Sequence, residues 1–428
     1  MNLIETTLWL PPNVVDVYVT DVDGDGEADV VVAAKVSSAE VPAPMELFVY
    51  QYREETWTKT KQIPLGREAL FWEADRGLWA VDANGVRDLW SDQRIVSVNT
   101  WLTGLHQTSP KHADIVHDTD SDGTVEWLVH TGTGVSVYEM GDLVLSSSQP
   151  VNGSIRQYTK TGGVQLEVAQ RAKPIVFADW NGDGIQELWW LTGDQAMVQG
   201  FEGQTTIDLP INVDPQYTTR PSRELSWIQY RDVNGDGFTD MVWQYWVRGE
   251  SWFGSTSEIG MSLSDGVSFQ TPITMSVKRA VLDVRLQDLD SDGDLDLWLL
   301  GTDLGIATLS KTLLTQQATA SLSVHTFDDT SFSKRATADW EVSIPIGQDD
   351  AFDYQTIPDR NGDSRVELAV LLGTEARLYG STDDSWSLAA QSSLQSRGNW
   401  IRANNLRSNK WLPVWSSGRS TVSMLYVE

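Results

Sequence analysis

Apolar residues in this chain come in short runs that alternate with polar, glycine-containing turns along its length. One order recurs six times. A brief run such as Val15-Asp16-Val17-Tyr18-Val19, Pro174-Ile175-Val176-Phe177 or Ala280-Val281-Leu282-Asp283-Val284 leads into an acidic loop. After the loop comes a run that is apolar at successive positions. These runs are Val30-Val31-Val32, Trp127-Leu128-Val129, Leu188-Trp189-Trp190-Leu191, Met241-Val242-Trp243, Leu297-Trp298-Leu299-Leu300 and Leu368-Ala369-Val370-Leu371. A strand apolar on both sides is covered on both sides. Two further strand-like runs usually follow, as at Gly134-Val135-Ser136-Val137-Tyr138. About four strands per repeat and no helical spacing predict an all-β chain.

The loops themselves carry the chemistry. Loop 1 holds Asp21, Asp23, Asp25 and Asp29; loop 2 holds Asp118, Asp120, Asp122 and Glu126. Loop 3 holds Asp179, Asn181, Asp183 and Glu187, and loop 4 holds Asp232, Asn234, Asp236 and Asp240. Loop 5 holds Asp288, Asp290, Asp292 and Asp296, and loop 6 holds Asp359, Asn361, Asp363 and Glu367. Oxygen side chains therefore stand at the first, third, fifth and ninth places. The sixth place is Gly26, Gly123, Gly184, Gly237 or Gly293, with Ser364 in loop 6. Hard oxygen donors in this number suit Ca2+, about six ions in all. The seventh place (Glu27, Thr124, Ile185, Phe238, Asp294, Arg365) is expected to add a backbone carbonyl. An EF-hand would need a Glu at the twelfth place, where loop 3 has Trp190. Because the side-chain oxygens all close the loop, the ions are expected to be structural.

Six such loops in register mark a repeat protein. Two degenerate units join them: Val81-Asp82-Ala83-Asn84-Gly85-Val86-Arg87-Asp88-Leu89-Trp90, and Ala403 to Trp415. The expected architecture is one β-propeller over residues 1–428, with eight four-stranded blades and seven as the alternative. The N-terminal run Ile4 to Leu10 is expected to supply the fourth strand of the last blade and close the ring.

The loops resemble the calcium-binding FG-GAP or VCBS-type repeats of integrin α-chain propellers and many secreted bacterial proteins. That resemblance covers nearly the whole chain. It implies a calcium-binding propeller at the cell surface, in a family that includes adhesins, lectins, scaffolds and a few enzymes. Eight-bladed propellers with similar loops also occur among rhamnogalacturonan lyases.

Net charge is -29, which argues against nucleic acid as a partner. The chain has no Cys, so disulfides and thiol chemistry are excluded. No run is long and apolar enough to predict a membrane span. Weak calcium sites, at roughly 10⁻⁴–10⁻³ M, fill reliably only outside the cytoplasm. An extracellular, cell-surface or periplasmic setting is therefore expected, although Met1-Asn2-Leu3-Ile4-Glu5 does not read as a signal peptide.

Of the 20 Trp residues, Trp90, Trp127, Trp189, Trp190, Trp243 and Trp298 are expected to fill the space between blades. Trp246, Trp252 and Phe253 fall outside the pattern and are candidates for stacking on sugar or peptide. His106, His112, His117 and His130 are the candidates for a catalytic or transition-metal cluster, against an ordinary structural role. The polar segment from Lys311 to Asp353 is either a recognition insertion or a long hairpin. No metalloprotease, serine-hydrolase or phosphate-loop motif is present. The resulting expectation is a non-enzymatic module that binds a protein or polysaccharide. A polysaccharide lyase and a structural subunit of an envelope assembly are the alternatives.

Overall fold

A computed structural model describes the chain apart from residues 1–2, 24, 26, 37–44, 54, 66–69, 75–76, 83–84, 92, 98–115, 118, 121, 123, 125, 132–133, 140–141, 148–151, 161–162, 172–174, 201–202, 214–222, 249–254, 303–316, 329, 346–351, 358–364, 382–385, 395–398, 401–410, 416–419 and 428. Among the described residues every regular element is a β-strand. The chain divides into two compact units, Ile175–Ser393 and Leu3–Pro174 with Leu394–Glu428.

The first unit contains four four-stranded antiparallel sheets, each a simple meander or nearly so. One runs Ile175–Ala178, Glu187–Thr192, Gln195–Gly200, Gly203–Asp208. The next runs Arg223–Arg231, Asp240–Val247, Thr256–Ser262, Ile273–Val277. The third runs Ala280–Gln287, Asp296–Thr302, Gln317–His325, Ala338–Pro345, with a small hairpin, Phe327–Asp328 and Ser331–Phe332, between its last two strands. The fourth runs Phe352–Ile357, Glu367–Leu372, Glu375–Ser381, Trp386–Ser393. The polar segment after Lys311 thus supplies two ordinary strands of the third sheet, which is the long-hairpin reading.

The second unit has four such sheets as well, plus a separate hairpin, Asn152–Lys160 with Gly163–Arg171. Its sheets start with Val14–Thr20, Leu70–Ala74 and Val116–His117, and the last is made from both ends of the chain. There Leu3–Trp9 pairs antiparallel with Thr421–Val427, which pairs with Trp411–Trp415 and then Asn399–Trp400. Four antiparallel strands in sequence are the content of one propeller blade.

Each acidic loop joins the first strand of its sheet to the second, and the ninth loop residue opens the second strand. That second strand is buried on both faces, as at Asp240–Val247 and Asp296–Thr302. Between successive sheets of the first unit, large side chains fill the gap. Trp189, Tyr230, Met241 and Trp243 share one cluster, and Trp298, Tyr354, Leu368 and Trp386 share another. Trp127, Trp189, Trp190, Trp243 and Trp298 are all buried. A broad ring removes some 150–250 Å² from water at a stroke, which is why two sheets meet on indole rather than on smaller groups.

One expected unit is framed differently. The run Val81 to Gly85 does not join a first strand to a second. Gly77–Asp82 pairs with both Leu70–Ala74 and Gly85–Asp88, so Asp82 ends a second strand and Gly85 opens a third. Leu89 and Trp90 lie in a turn, not a strand, and the sheet begins at Leu70, eleven residues before Val81. The Asp-Ala-Asn-Gly sequence reads like a worn acidic loop, yet Asp82 pairs directly with Gly85 across a two-residue connection between strands. Trp90 still contacts a cation, since Lys61 Nζ sits 4.5 Å from its ring centre.

Candidate functional site

The described loops share one internal hydrogen-bond plan. The ninth carboxylate reaches back to the amide of the second residue: Asp29 to Val22 at 2.9 Å, Glu187 to Trp180 at 2.8 Å, Asp240 to Val233 at 2.9 Å and Asp296 to Leu289 at 2.7 Å. Glu126 does the same for Thr119 in loop 2. The first carboxylate accepts the sixth amide in loops 3, 4 and 5, from Gly184, Gly237 and Gly293 at 2.8, 2.9 and 3.1 Å. The fifth accepts the seventh amide, as Asp183 does from Ile185 at 2.8 Å and Asp236 from Phe238 at 2.9 Å. Glycine at the sixth place has a local reason. Gly184, Gly237 and Gly293 have φ of 85°, 91° and 100°, a region that side chains with a Cβ avoid.

This turning brings carboxylates together. Oxygens of Asp21, Asp23 and Asp25 lie within 4.8 Å of one another, as do those of Asp179, Asp183 and Glu187, and of Asp288, Asp290 and Asp296. Like charges this close raise the cost of ionisation. Burial raises it further, and it is the larger cause: the carboxyls of Asp29, Glu187, Asp240 and Asp296 are pushed up to about 7. Asp290 is raised too, by burial and then by Asp292 and Asp288. Asp232 has one carboxylate oxygen on the Gly237 amide, whereas the other is buried with no hydrogen-bond partner. The converging oxygens of loops 1, 3 and 5, and separately the buried unmatched oxygen of Asp232 in loop 4, fit a hard divalent cation. Asp118 of loop 2, and Asp359, Asn361 and Asp363 of loop 6, lie outside the described residues. Glu367 opens its strand, buried like the other ninth-place acids.

The remaining candidates are scattered or undescribed. Trp252 and Phe253 lie outside the described residues, and Trp246 is half-buried near the end of Asp240–Val247 away from loop 4. Beside it, the Arg223 guanidinium lies 3.8 Å from the Tyr245 ring centre and pairs with Glu258. His106 and His112 lie outside the described residues. His117 is opposite Glu126 in the sheet, whereas His130 is four residues farther along the same strand as Glu126. At about 3.3 Å per residue that is roughly 13 Å of backbone, so the strands do not bring these two together.

Several partners of the loops are invisible in the repeat motif. Asp240 also accepts the Ser264 amide at 2.8 Å, and Asp296 the Phe327 amide at 3.0 Å, each just beyond the third strand. In loop 1, Gln51 Nε2 donates to Asp23 at 2.8 Å. Only tertiary pairing brings Ser264, Phe327 and Gln51 to these acids. Phe238 is different: it is the one aromatic residue at the seventh place of any loop, a signal present in the sequence.

No family model matches this chain, and no curated protein does. Among solved structures, the chain is similar to BBS1N in complex with ARL6DN, from a crystal soaked with lead. That likeness has 10% identity and a TM-score of 0.38, covering 98% of this chain and 92% of that one. A mercury-soaked crystal of the same complex matches at 8% identity and a TM-score of 0.29, covering 73% of this chain and 92% of that one. Likenesses this distant do not bear on function.

Proposed function

We propose that the chain is a calcium-stabilised propeller of the FG-GAP/VCBS kind, eight-bladed, that acts as a non-enzymatic binding module. The observation that carries this reading is the shared loop plan. In every described loop the ninth carboxylate closes on the second amide, and in loops 1, 3 and 5 the acidic oxygens converge within 4.8 Å. Donors arranged in this way hold an ion by closing the loop around it, which makes the ion part of the scaffold. A scaffold of stiff sheets leaves the connecting loops as the recognition surface.

Weak calcium sites suit the extracellular, cell-surface or periplasmic space, where millimolar calcium keeps them filled. The partner is a protein or a polysaccharide of that space. The test is capture: immobilised full-length chain is loaded with envelope extract in calcium and eluted with chelator. A defined protein or an unaltered polysaccharide, held only while calcium is present, is the expected result. Polysaccharide released in shortened form with unsaturated ends would replace the binding reading with a lyase.

A further inference from the structure

We propose that loops 3, 4 and 5 load cations as one coupled set, the seventh residue of each later loop carrying the coupling to the fourth residue of the loop before it. The proposal rests on the calcium reading above and deepens it.

The three loops, 179–187, 232–240 and 288–296, all belong to the first unit and touch through their backbones. The Thr239 amide, eighth in loop 4, donates to the Asp179 carbonyl of loop 3 at 3.0 Å. The Leu295 amide, eighth in loop 5, donates to the Val233 carbonyl of loop 4 at 2.7 Å. Side chains repeat the relation one residue earlier. A Cβ at Gly182, fourth in loop 3, would stand 2.8 Å from the ring of Phe238, seventh in loop 4. A Cβ at Gly235, fourth in loop 4, would stand 3.6 Å from Asp294 Oδ1, seventh in loop 5.

The fourth place is where this contact matters most. It lies between the third and fifth donors, and its backbone takes φ of 73° in Gly182 and 67° in Gly235. The seventh residue, in turn, is the one whose carbonyl would face the ion of its own loop. Filling loop 4 therefore fixes Phe238, and Phe238 fixes the turn that sets Asn181 and Asp183 in loop 3. The conformational cost of ordering loop 3 is then already met when its own ion arrives. Electrostatics works the other way, because each bound cation reduces the negative potential that attracts the next. Packing outweighs this repulsion.

Terbium(III), a luminescent stand-in for Ca2+, gives a site-resolved test. Its emission is sensitised by a nearby indole, and Trp180 is the second residue of loop 3, where the other loops carry Val22, Thr119, Val233, Leu289 and Arg360. The part of the signal that Trp180→Phe abolishes reports loop 3 in the full chain. Coupling predicts that Phe238→Ala weakens loop 3 by about fivefold or more. If that variant does not fold, Phe238→Leu decides, with a smaller loss in the same direction. Asp236→Asn, studied at a cation concentration below its weakened affinity, then leaves loop 4 empty with Phe238 in place. Measured in about 1 M salt, where screening acts over ~3 Å, it must also weaken loop 3.

Loop 3 affinities within about twofold of the parent in these variants would overturn the coupling and leave the calcium reading standing. Weakening by Phe238→Ala but not by Asp236→Asn would make Phe238 a static prop, and the coupling would fail. No Trp180-dependent signal in the parent chain would remove the cation itself from loop 3.

Discussion

The Asp240 carboxylate accepts the Ser264 amide at 2.8 Å with one oxygen and the Val233 amide at 2.9 Å with the other. One fully buried side chain thus ties the start of an acidic loop to the far end of the third strand. Asp296 repeats the arrangement in the next sheet with Leu289 and Phe327. The ninth acid therefore organises its sheet as well as its loop.

Asp240→Ala removes both acceptors and leaves two amides unmatched, at about 1–3 kcal/mol each. The expected loss is about 3 kcal/mol, with Asp240→Asn costing about half as much because one oxygen remains. Urea unfolding in chelator measures this without a contribution from bound metal. A loss below ~1 kcal/mol in the Ala variant would show that the amides find other partners.

The raised carboxyls set a pH dependence with a definite sign. Burial lifts Asp29, Glu187, Asp240 and Asp296 to about 7 in the folded chain, against about 4 when unfolded. Between these values the folded state holds more protons, so the stabilisation is full below about 4 and is lost as pH rises through 7. Chelated protein is therefore expected to melt higher at pH 5 than at pH 7.5. Saturating calcium reverses the order, because it binds the ionised carboxylates. Thermal melts at both pH values, with and without calcium, check the crossing.

Chelation itself is a further test. An ion present at ten times its dissociation constant stabilises the folded state by about 1.4 kcal/mol, and several loops add. The melting temperature should rise with calcium concentration and fall on adding chelator. A melting temperature indifferent to both would contradict structural ions.

Gly260 lies under the Trp243 indole, where a Cβ would stand 2.2 Å from Cε2. Trp243 is buried and belongs to the cluster between two sheets. Gly260→Ala is expected to cost about 3 kcal/mol, at the upper end of overpacking effects, with a shift in Trp emission. An unchanged unfolding midpoint would mean that the indole moves freely.

Ser291, fourth in loop 5, holds φ of 63° where loops 3 and 4 have Gly. Ser291→Gly relieves that conformation at some cost in unfolded-state entropy, for a net gain of about 0.5–1 kcal/mol. Equilibrium unfolding checks it, and a loss would mean that the contacts Ser291 makes outweigh the strain in its backbone.

The sequence by itself determined the repeat. Donor spacing of two residues, a left-handed glycine and an unbroken apolar run are local features, and local sterics force them into a strand, a tight acidic loop and a buried strand. The terminal strand pair was legible for a similar reason: Leu3–Trp9 was an unmatched strand beside a three-stranded remainder. Local resemblance also misled. Asp82 to Gly85 has the composition of a worn loop, but pairing of Gly77–Asp82 with Gly85–Asp88 places it at the connection of a hairpin. Only the tertiary structure decided which amide meets the second oxygen of Asp240, and that Phe238 lies against Gly182. Such contacts join residues tens of positions apart, through sheet register and side-chain packing, and no spacing rule in one loop encodes its neighbour.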